Sequence, residues 1–428
     1  MTGSANPLHP QVSLRRFINE ITDGPFGSSL TSSHYSDDGA RVIRLGNIGP
    51  AHFKDLDAAY ISLEYFRNLR RHEVKSGDLI IAGLGDDNHP VGRACVAPPD
   101  LGPSIVKADC FRARLDESRL THRYAAWALS SSVVSNQVST LTRGSTRARI
   151  NLEMAREIKL PVPPVEEQHR IADFLDTETA KVTRLRSRLS RLSTLLEHRQ
   201  AALLAGCFSA EKDSDSQHSV DSAPLRRVVE RWIDYRGATP EKTASGIPLV
   251  TAKNIRDGLI DLTASREYIA EDSYDAWMRR GLLKRGDVLL TTEAPLGQVA
   301  MVSDPGVALA QRVIVLRVNS EKCSADWLYW YLRSPRAQAE LELRATGSTA
   351  LGIKADRLRG VPIPLVHHEV AEQRLSALGS QVAQCDRLQD KLALQGELLS
   401  ERLQALIASA VSGKFDVSTA SGRGVLSS

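Results

Sequence analysis

Thr142–Arg143–Gly144–Ser145–Thr146–Arg147–Ala148–Arg149 sets three guanidinium groups among short hydroxyls around one glycine. Arginine forks match phosphate oxygens and the O6/N7 edge of guanine, and Ser145 and Thr146 add donors, so this spacing suits a polyanion. A second stretch, Thr346–Gly347–Ser348–Thr349 with Lys354 beyond it, keeps the hydroxyls and loses most of the charge. Two further segments follow apolar runs: Arg44 and Asn47 after Val42–Ile43, and Lys253, Asn254 and Arg256 after Leu249–Val250. Asparagine and arginine pair bidentately with adenine and guanine. Asparagine equally caps turns, and both readings stand at this point. Arg93, Lys107, Gln298, Gln311 and Arg312 lie on polar loops and complete the candidate contacts to nucleic acid.

Catalytic chemistry is much less visible. No G-x-x-x-x-G-K-(S/T) loop is present for a nucleotide-driven motor. Gly83–Leu84–Gly85–Asp86 faintly resembles a methyltransferase glycine loop, but Asp87–Asn88–His89–Pro90 is not an N-P-P-(Y/F) motif, so a strand-end turn is the reading. Glu157–Ile158–Lys159 has nuclease-like spacing without a nearby Pro-Asp. His367–His368–Glu369 lacks a third metal ligand. We therefore expect no catalytic residue and no metal site. Five scattered cysteines with no C-x-x-C pair argue for a reducing compartment and against zinc or disulfides. A net charge of +4 permits nucleic-acid binding without requiring it. The start of the chain has no apolar signal core, and no apolar run is long enough to span a bilayer. A cytoplasmic protein with no membrane partner is the expectation.

Something must hold these loops apart. From Ile171, alternate steps of four and three reach Leu175, Glu178, Val182, Leu185, Leu189, Leu192, Leu196, Arg199 and Leu203, and eight of these ten positions are apolar. That 3.5-residue period predicts a helix over 166–205 with one apolar seam, entered at Pro163–Pro164 and stopped at Gly206. Such a helix needs a partner. A second walk supplies it: Leu375, Leu378, Val382, Cys385, Gln389, Leu392, Gly396, Leu399, Leu403, Leu406 and Ala410. Arg184, Arg186, Arg188 and Arg191 read as a solvated or partner-docking face.

The chain also repeats itself. Val42–Ile48 matches Leu249–Ile255, Lys75–Ile80 matches Lys284–Leu289, Pro90–Gly92 matches Pro295–Gly297, and Gly144–Thr146 matches Gly347–Thr349, always in the same order. Strands are expected at Leu79–Ala82, Phe111–Leu115, Val288–Thr291 and Ile314–Val318, with helices at Tyr124–Ser131 and Trp327–Ser334. The predicted class is α+β, with two tandem pseudo-repeats, each a mixed unit followed by a long helix, the helices pairing as an antiparallel coiled coil. The segments are 1–160, 161–206 (first helix), 207–223 (a linker almost free of large apolar residues), 224–360, 361–413 (second helix) and 414–428 (tail).

Duplicated Lys-Gly-Asp-type turns, paired GST loops, and a duplicated proline-rich strand leading through Glu-Gln into a heptad helix resemble the specificity subunit of Type I restriction–modification systems. The resemblance covers nearly all of Val12–Val417; the second copy departs from it at His367–His368–Glu369–Val370, where about two extra residues precede Glu372. It implies a non-catalytic subunit with two target-recognition domains, each reading one half of a bipartite, asymmetric site on double-stranded DNA. It implies that the helices act as a ruler and dock two methyltransferase subunits, with motor–nuclease subunits in the full complex. S-adenosylmethionine, ATP and Mg are then expected on those partners and no cofactor on this chain. Three alternatives stand beside it: an enzyme in its own right, a specificity protein serving a stand-alone methyltransferase or nuclease, and a coiled-coil scaffold that does not bind DNA.

Overall fold

The computed structural model describes residues 9–86, 88–141, 148–209, 221–235, 239–347 and 351–417. The chain divides into two compact units, Met1–Leu189 with Leu394–Ser428, and Ser190–Ala393. Each long helix is divided between the two units, at Leu189–Ser190 and at Ala393–Leu394.

Unit 1 is built on the Lys75–Asp78 turn. The Asp78 carboxylate accepts the Lys75 N–H at 2.8 Å, and the chain leaves the turn into an unbroken apolar run. That run forms β2 (Leu79–Ala82), buried at every position, inside the sheet β1 (Ile18–Asp23), β4 (Cys110–Leu115), β2, β3 (Ala94–Val96), antiparallel throughout. Thr121 caps α1 (His122–Ser130) by accepting the Tyr124 N–H, and α2 (Ser132–Leu141) follows. Both helices contribute to the core beneath the sheet. A smaller second sheet runs Tyr35–Ser36, Tyr60–Ile61, Ala40–Ile43, Ser104–Val106, Glu73–Val74, with Ala40–Ile43 and Ser104–Val106 parallel. The entry strand Gln11–Ser13 pairs antiparallel with the exit strand Lys159–Pro161, so the globular part closes where α3 (Val165–Cys207) begins. Tyr124 ties the two by donating to Pro161 O at 2.7 Å. Arg123 holds Asp173 and Asp176 of α3.

Unit 2 has the same plan. Asp287 accepts the Lys284 N–H at 2.7 Å. The sheet order β5 (Val229–Asp234), β8 (Val313–Val318), β6 (Val288–Thr291), β7 (Val299–Met301) repeats that of unit 1 strand for strand. Ser324 caps α4 (Ala325–Leu332), and Ser334 caps α5 (Pro335–Arg344). The small sheet, Tyr268–Ile269, Ile247–Val250, Ala308–Leu309, again holds a parallel pair. Both small sheets need one glycine: a Cβ at Gly39 (φ +118°) would lie 2.3 Å from Ile61 O, and one at Gly246 (φ +134°) 2.2 Å from Ile269 O. Asp221–Pro224 pairs with the exit strand Pro362–Leu365; residues 221–223 are thus strand, although their small polar side chains read as linker. The exit strand leads to α6 (His368–Val411).

The long helices bury their ends. In unit 1, Ile171, Ala172 and Leu175 share a core with Ile407, Ala410 and Val411. In unit 2, Leu204 and Phe208 share one with Ala371, Leu378 and Val382, with Leu203 and Leu375 at its edge. Val182, Leu189, Leu196, Leu203, Leu392, Leu399, Leu403 and Leu406 are half-buried. Two proposed seam residues are corrected. Leu185 and Leu192 are 44% and 48% exposed, whereas Ser193, next to Leu192, is half-buried. The positions spaced by seven, Val182, Leu189, Leu196 and Leu203, stay half-buried, so the stripe is narrower than the walk and leaves the alternate leucines in water. Gly206 does not stop α3, which ends one residue later at Cys207.

Candidate nucleic-acid interface

Three of the candidate readers belong to the skeleton. Asn47 is 1% exposed; its Oδ1 accepts the Arg44 N–H at 2.9 Å and its Nδ2 donates to Lys54 O at 3.1 Å and Leu56 O at 2.6 Å. Asn254 repeats this arrangement, accepting from Thr251 N–H at 2.9 Å and donating to Asp261 O and Ser265 O at 2.8 and 2.9 Å. Both amides brace a loop, the capping alternative, and are buried away from a base. Arg93 is likewise buried. Its guanidinium donates to the carbonyls of Ile48, Leu84, His89, Pro90 and Leu45, and burial lowers its pKa from the ordinary arginine value. A polar loop in the sequence is here a cage of carbonyls, and that geometry removes Arg93 from the contact set.

Other candidates face outward. Arg44 is half-buried and pairs with Asp57 at 2.6 Å. Lys107 is half-buried, its ammonium 5.9 Å from the Tyr35 ring centroid. Arg149 is exposed, pairs with Asp109 at 2.7 Å and lies 5.9 Å from the Phe26 ring centroid. Lys253 and Arg256 are exposed beside the Asn254 brace, and Gln298 is half-buried. Arg143, Ser145, Thr146 and Arg147, with Ser348 and Thr349, lie outside the described residues.

Unit 2 brings four candidates together. A cleft of about 320 Å³ is lined by Glu293, Arg312, Thr346, Gly352 and Lys354 among others. Beside it, a cleft of about 230 Å³ is lined by Lys242, Lys253, Glu267, Gln311 and Arg312. Arg312 belongs to both, so Lys253, Gln311, Arg312 and Lys354 form one basic rim at the start of β8. Arg256 and Gln298 are not part of either lining. Two residues of the rim, Lys242 and Glu293, were not singled out in the sequence. Glu293 directly follows Thr291–Thr292 at the end of β6, and nothing in its spacing distinguishes it from other loop acids.

Among the described residues, no group of three or more His, Cys, Asp or Glu side chains is placed to hold a metal. Burial pushes the Cys95 and Cys323 thiols up to about 12, which leaves them unreactive packing groups. No helix among the described residues is long and apolar enough to cross a membrane.

Residues 77–191, which span β2 through the first half of α3, match a family model described as the Type I restriction modification DNA specificity domain. The EcoBI specificity subunit of Escherichia coli is 23% identical over 387 residues, covering 84% of this chain and 78% of that one. The EcoKI specificity subunit of Escherichia coli strain K12 is 24% identical over 266 residues, 60% of this chain and 56% of the relative's length. Among solved structures, a chain from work on complex assembly and conformational transition of the type I R-M system superimposes with a TM-score of 0.72 at 18% identity, covering 96% of this chain and 100% of its own. The HsdS subunit of Thermoanaerobacter tengcongensis gives 0.53 at 18% identity, over 95% and 97%. At those identities the structures speak for the fold. The chain carries a Type I restriction–modification specificity domain and resembles the specificity subunits of those systems along most of its length.

Proposed function

We propose that this chain is the non-catalytic, DNA-reading subunit of a Type I restriction–modification complex. Each unit reads one half of a bipartite, asymmetric site on double-stranded DNA. The observation that carries the proposal is the repeated sheet order, β1-β4-β2-β3 and β5-β8-β6-β7, with unlike residues before the equivalent strands, Asp109 in one unit and Arg312 in the other. A shared frame with unlike rims is a tandem pseudo-repeat, and it favours two unlike half-sites, where a symmetric dimer would favour a palindrome.

The long helices are the ruler. The start of α3 shares a core with the end of α6, and the end of α3 with the start of α6. That crossing of ends supports an antiparallel pair. The 43 residues of α3 span about 64 Å at ~1.5 Å per residue, enough to set two readers a turn or more of B-DNA apart, a turn being roughly 34 Å. Two methyltransferase subunits dock on this chain, with motor–nuclease subunits beyond them; S-adenosylmethionine, ATP and Mg serve those partners.

Inserting four residues after Leu189 tests the reading. The insertion adds about 6 Å at ~1.5 Å per residue, or one to two base pairs at ~3.4 Å each, and nearly keeps the buried face. Methylated motifs in cells carrying the variant with its partner subunits should keep both half-sequences and lengthen the spacer between them by about one base pair. Two inserted residues rotate the face by roughly 200° at ~100° per residue and should abolish activity. An active four-residue variant with its original spacer overturns the ruler. Methyl incorporation by this chain alone overturns its non-catalytic role.

A further inference from the structure

A three-way junction recurs at the start of the central strand in each unit. In unit 2, Thr292 N–H reaches Arg312 O at 2.9 Å, and Ile353 N–H reaches Thr292 O at 2.9 Å. In unit 1, Gly83 N–H reaches Asp109 O at 2.7 Å, and Ile150 N–H reaches Gly83 O at 2.9 Å. Each junction carries one ion pair. Arg312 Nε lies 3.2 Å from Glu293 Oε2, and Arg149 Nη2 lies 2.7 Å from Asp109 Oδ1. The position just before the strand is Arg312 in unit 2 and Asp109 in unit 1, so its charge is inverted while the pair is kept.

Stability does not account for these side chains. The side chains are 51% and 45% exposed in Arg312–Glu293 and 57% and 25% in Arg149–Asp109, where water screens the attraction. Arg312 (φ +77°) and Asp109 (φ +66°) both sit in the left-handed region, which glycine occupies without strain. A charged side chain held in this conformation in both copies, half exposed at Arg312 and a quarter exposed at Asp109, points to what that position faces. In unit 2, Lys354 and Lys253 flank it, as a phosphate backbone would require.

We propose that this ion pair reads one G·C base pair in each half-site, the guanidinium taking guanine O6/N7 and the carboxylate the N4 amino group of cytosine. A donor fork beside an acceptor is the complement of the G·C major-groove edge, which sets two acceptors beside a donor. Against A·T the carboxylate would meet thymine O4, acceptor against acceptor. The carboxylate also repels phosphate, which keeps the arginine off the backbone. With the charges inverted at the strand start, the two units present opposite ends of the pair from the same point of the fold.

This inference rests on the two-reader function proposed above. Full-length chain is used to select from randomised duplexes, and its affinity is then measured on the selected site and on single base-pair variants at several salt concentrations. Wild type should select a bipartite motif with a G·C preference of roughly tenfold or more at one position in each half. Arg312→Ala should erase that preference in one half only, and Arg149→Ala in the other. Glu293→Gln, which keeps size and fold, should narrow the preference in the same half as Arg312→Ala. Uniform weakening across sequences with a salt slope lower by about one marks a phosphate contact and overturns the base reading. A bipartite wild-type motif that all three variants retain overturns this inference alone. A wild type that selects no bipartite motif overturns the two-reader function and this inference with it.

Discussion

Asp78 and Asp287 occupy equivalent turns, accept equivalent backbone N–H groups and hold equivalent arginines, yet their surroundings differ. In unit 1, Arg114 binds Asp78 at 2.8 Å and Glu20 at 2.8 Å, and Glu20 also takes Arg112 at 2.9 Å. The hydrogen bond from Arg112 is the largest influence holding the Glu20 carboxyl below its ordinary range. In unit 2, Arg317 has Asp287 as its carboxylate, at 2.7 Å, with the carbonyl of Leu282. The braces of the two units are the same in kind, one of them networked and the other single. At the rim the contrast is greater, since the strand-start residue changes sign between copies. Frame and rim thus vary independently, which is what a scaffold carrying exchangeable specificity needs.

The single brace should break hardest. Asp287→Ala leaves Arg317 without its carboxylate and the Lys284 N–H without its acceptor. A cost of about 3–5 kcal/mol is expected for an ion pair opened at a buried aspartate. Asp78→Ala should cost less, because Arg114 retains Glu20. Urea unfolding of the full chain, with probes in each unit, measures both; equal losses would erase the distinction between networked and single braces.

Asn47→Ala and Asn254→Ala come next. Each strands buried backbone groups of its loop, at roughly 1–3 kcal/mol, and Asn254→Ala should cost slightly more because Asn254 also accepts the Thr251 hydroxyl at 2.8 Å. Thermal unfolding checks this. A variant of unchanged stability that shifts one base preference would return these asparagines to the reading surface.

The asparagines also show where sequence reasoning stops. An Asn after a strand has the same propensity whether it braces a loop or reads adenine, and burial alone separates the two. Arg93 is the same case with charge: no pattern marks an arginine that five carbonyls will satisfy. The braces were legible as motifs because Gly-Asp turns followed by at least three apolar residues leave little choice, and β2 and β6 lie where that pattern puts them. Both long helices were legible from their period. The five-stranded small sheet of unit 1 was less so, since four of its strands have two or three residues and are held by tertiary pairing. Glu293 could not be found at all, because its meaning comes from Arg312, a residue of the turn before another strand.

Acid should separate the units more gently. His72 and His122, both buried, lie in unit 1. His122 Nε2 accepts the Leu115 N–H at 2.8 Å and its Nδ1 lies 3.1 Å from Glu117; His72 Nε2 accepts from Arg71 at 2.7 Å and its Nδ1 faces Asp23 O. Each ring is therefore neutral, and burial holds both below the ordinary imidazole value. Because the unfolded chain binds these protons more readily, their contribution is complete above about pH 6.5. It is lost as pH falls through that value toward the folded ones. Probes in unit 1 should report unfolding at lower urea between pH 7 and 5.5, and His122→Gln should flatten the trend. A fall confined to unit 2 would contradict it.

The smallest effect concerns α3, where buried and exposed leucines share one helix. Leu175 is fully buried in unit 1, and Leu378 on α6 is 3% exposed in unit 2. Truncating either to alanine should cost about 2–5 kcal/mol, the transfer loss plus a cavity. Leu185 and Leu192 were chosen by the same periodic walk and are half exposed. Replacing them with glutamine removes little apolar area from the interior, and glutamine is as good a helix former as leucine. The expected change is within about 0.5 kcal/mol, a shift in Tm close to the error of the measurement. Calorimetry on the four single variants gives the comparison directly. A loss of 2 kcal/mol from Leu192→Gln would put that side chain back in the seam. A neutral result leaves both leucines on the exposed, charged face of the helix.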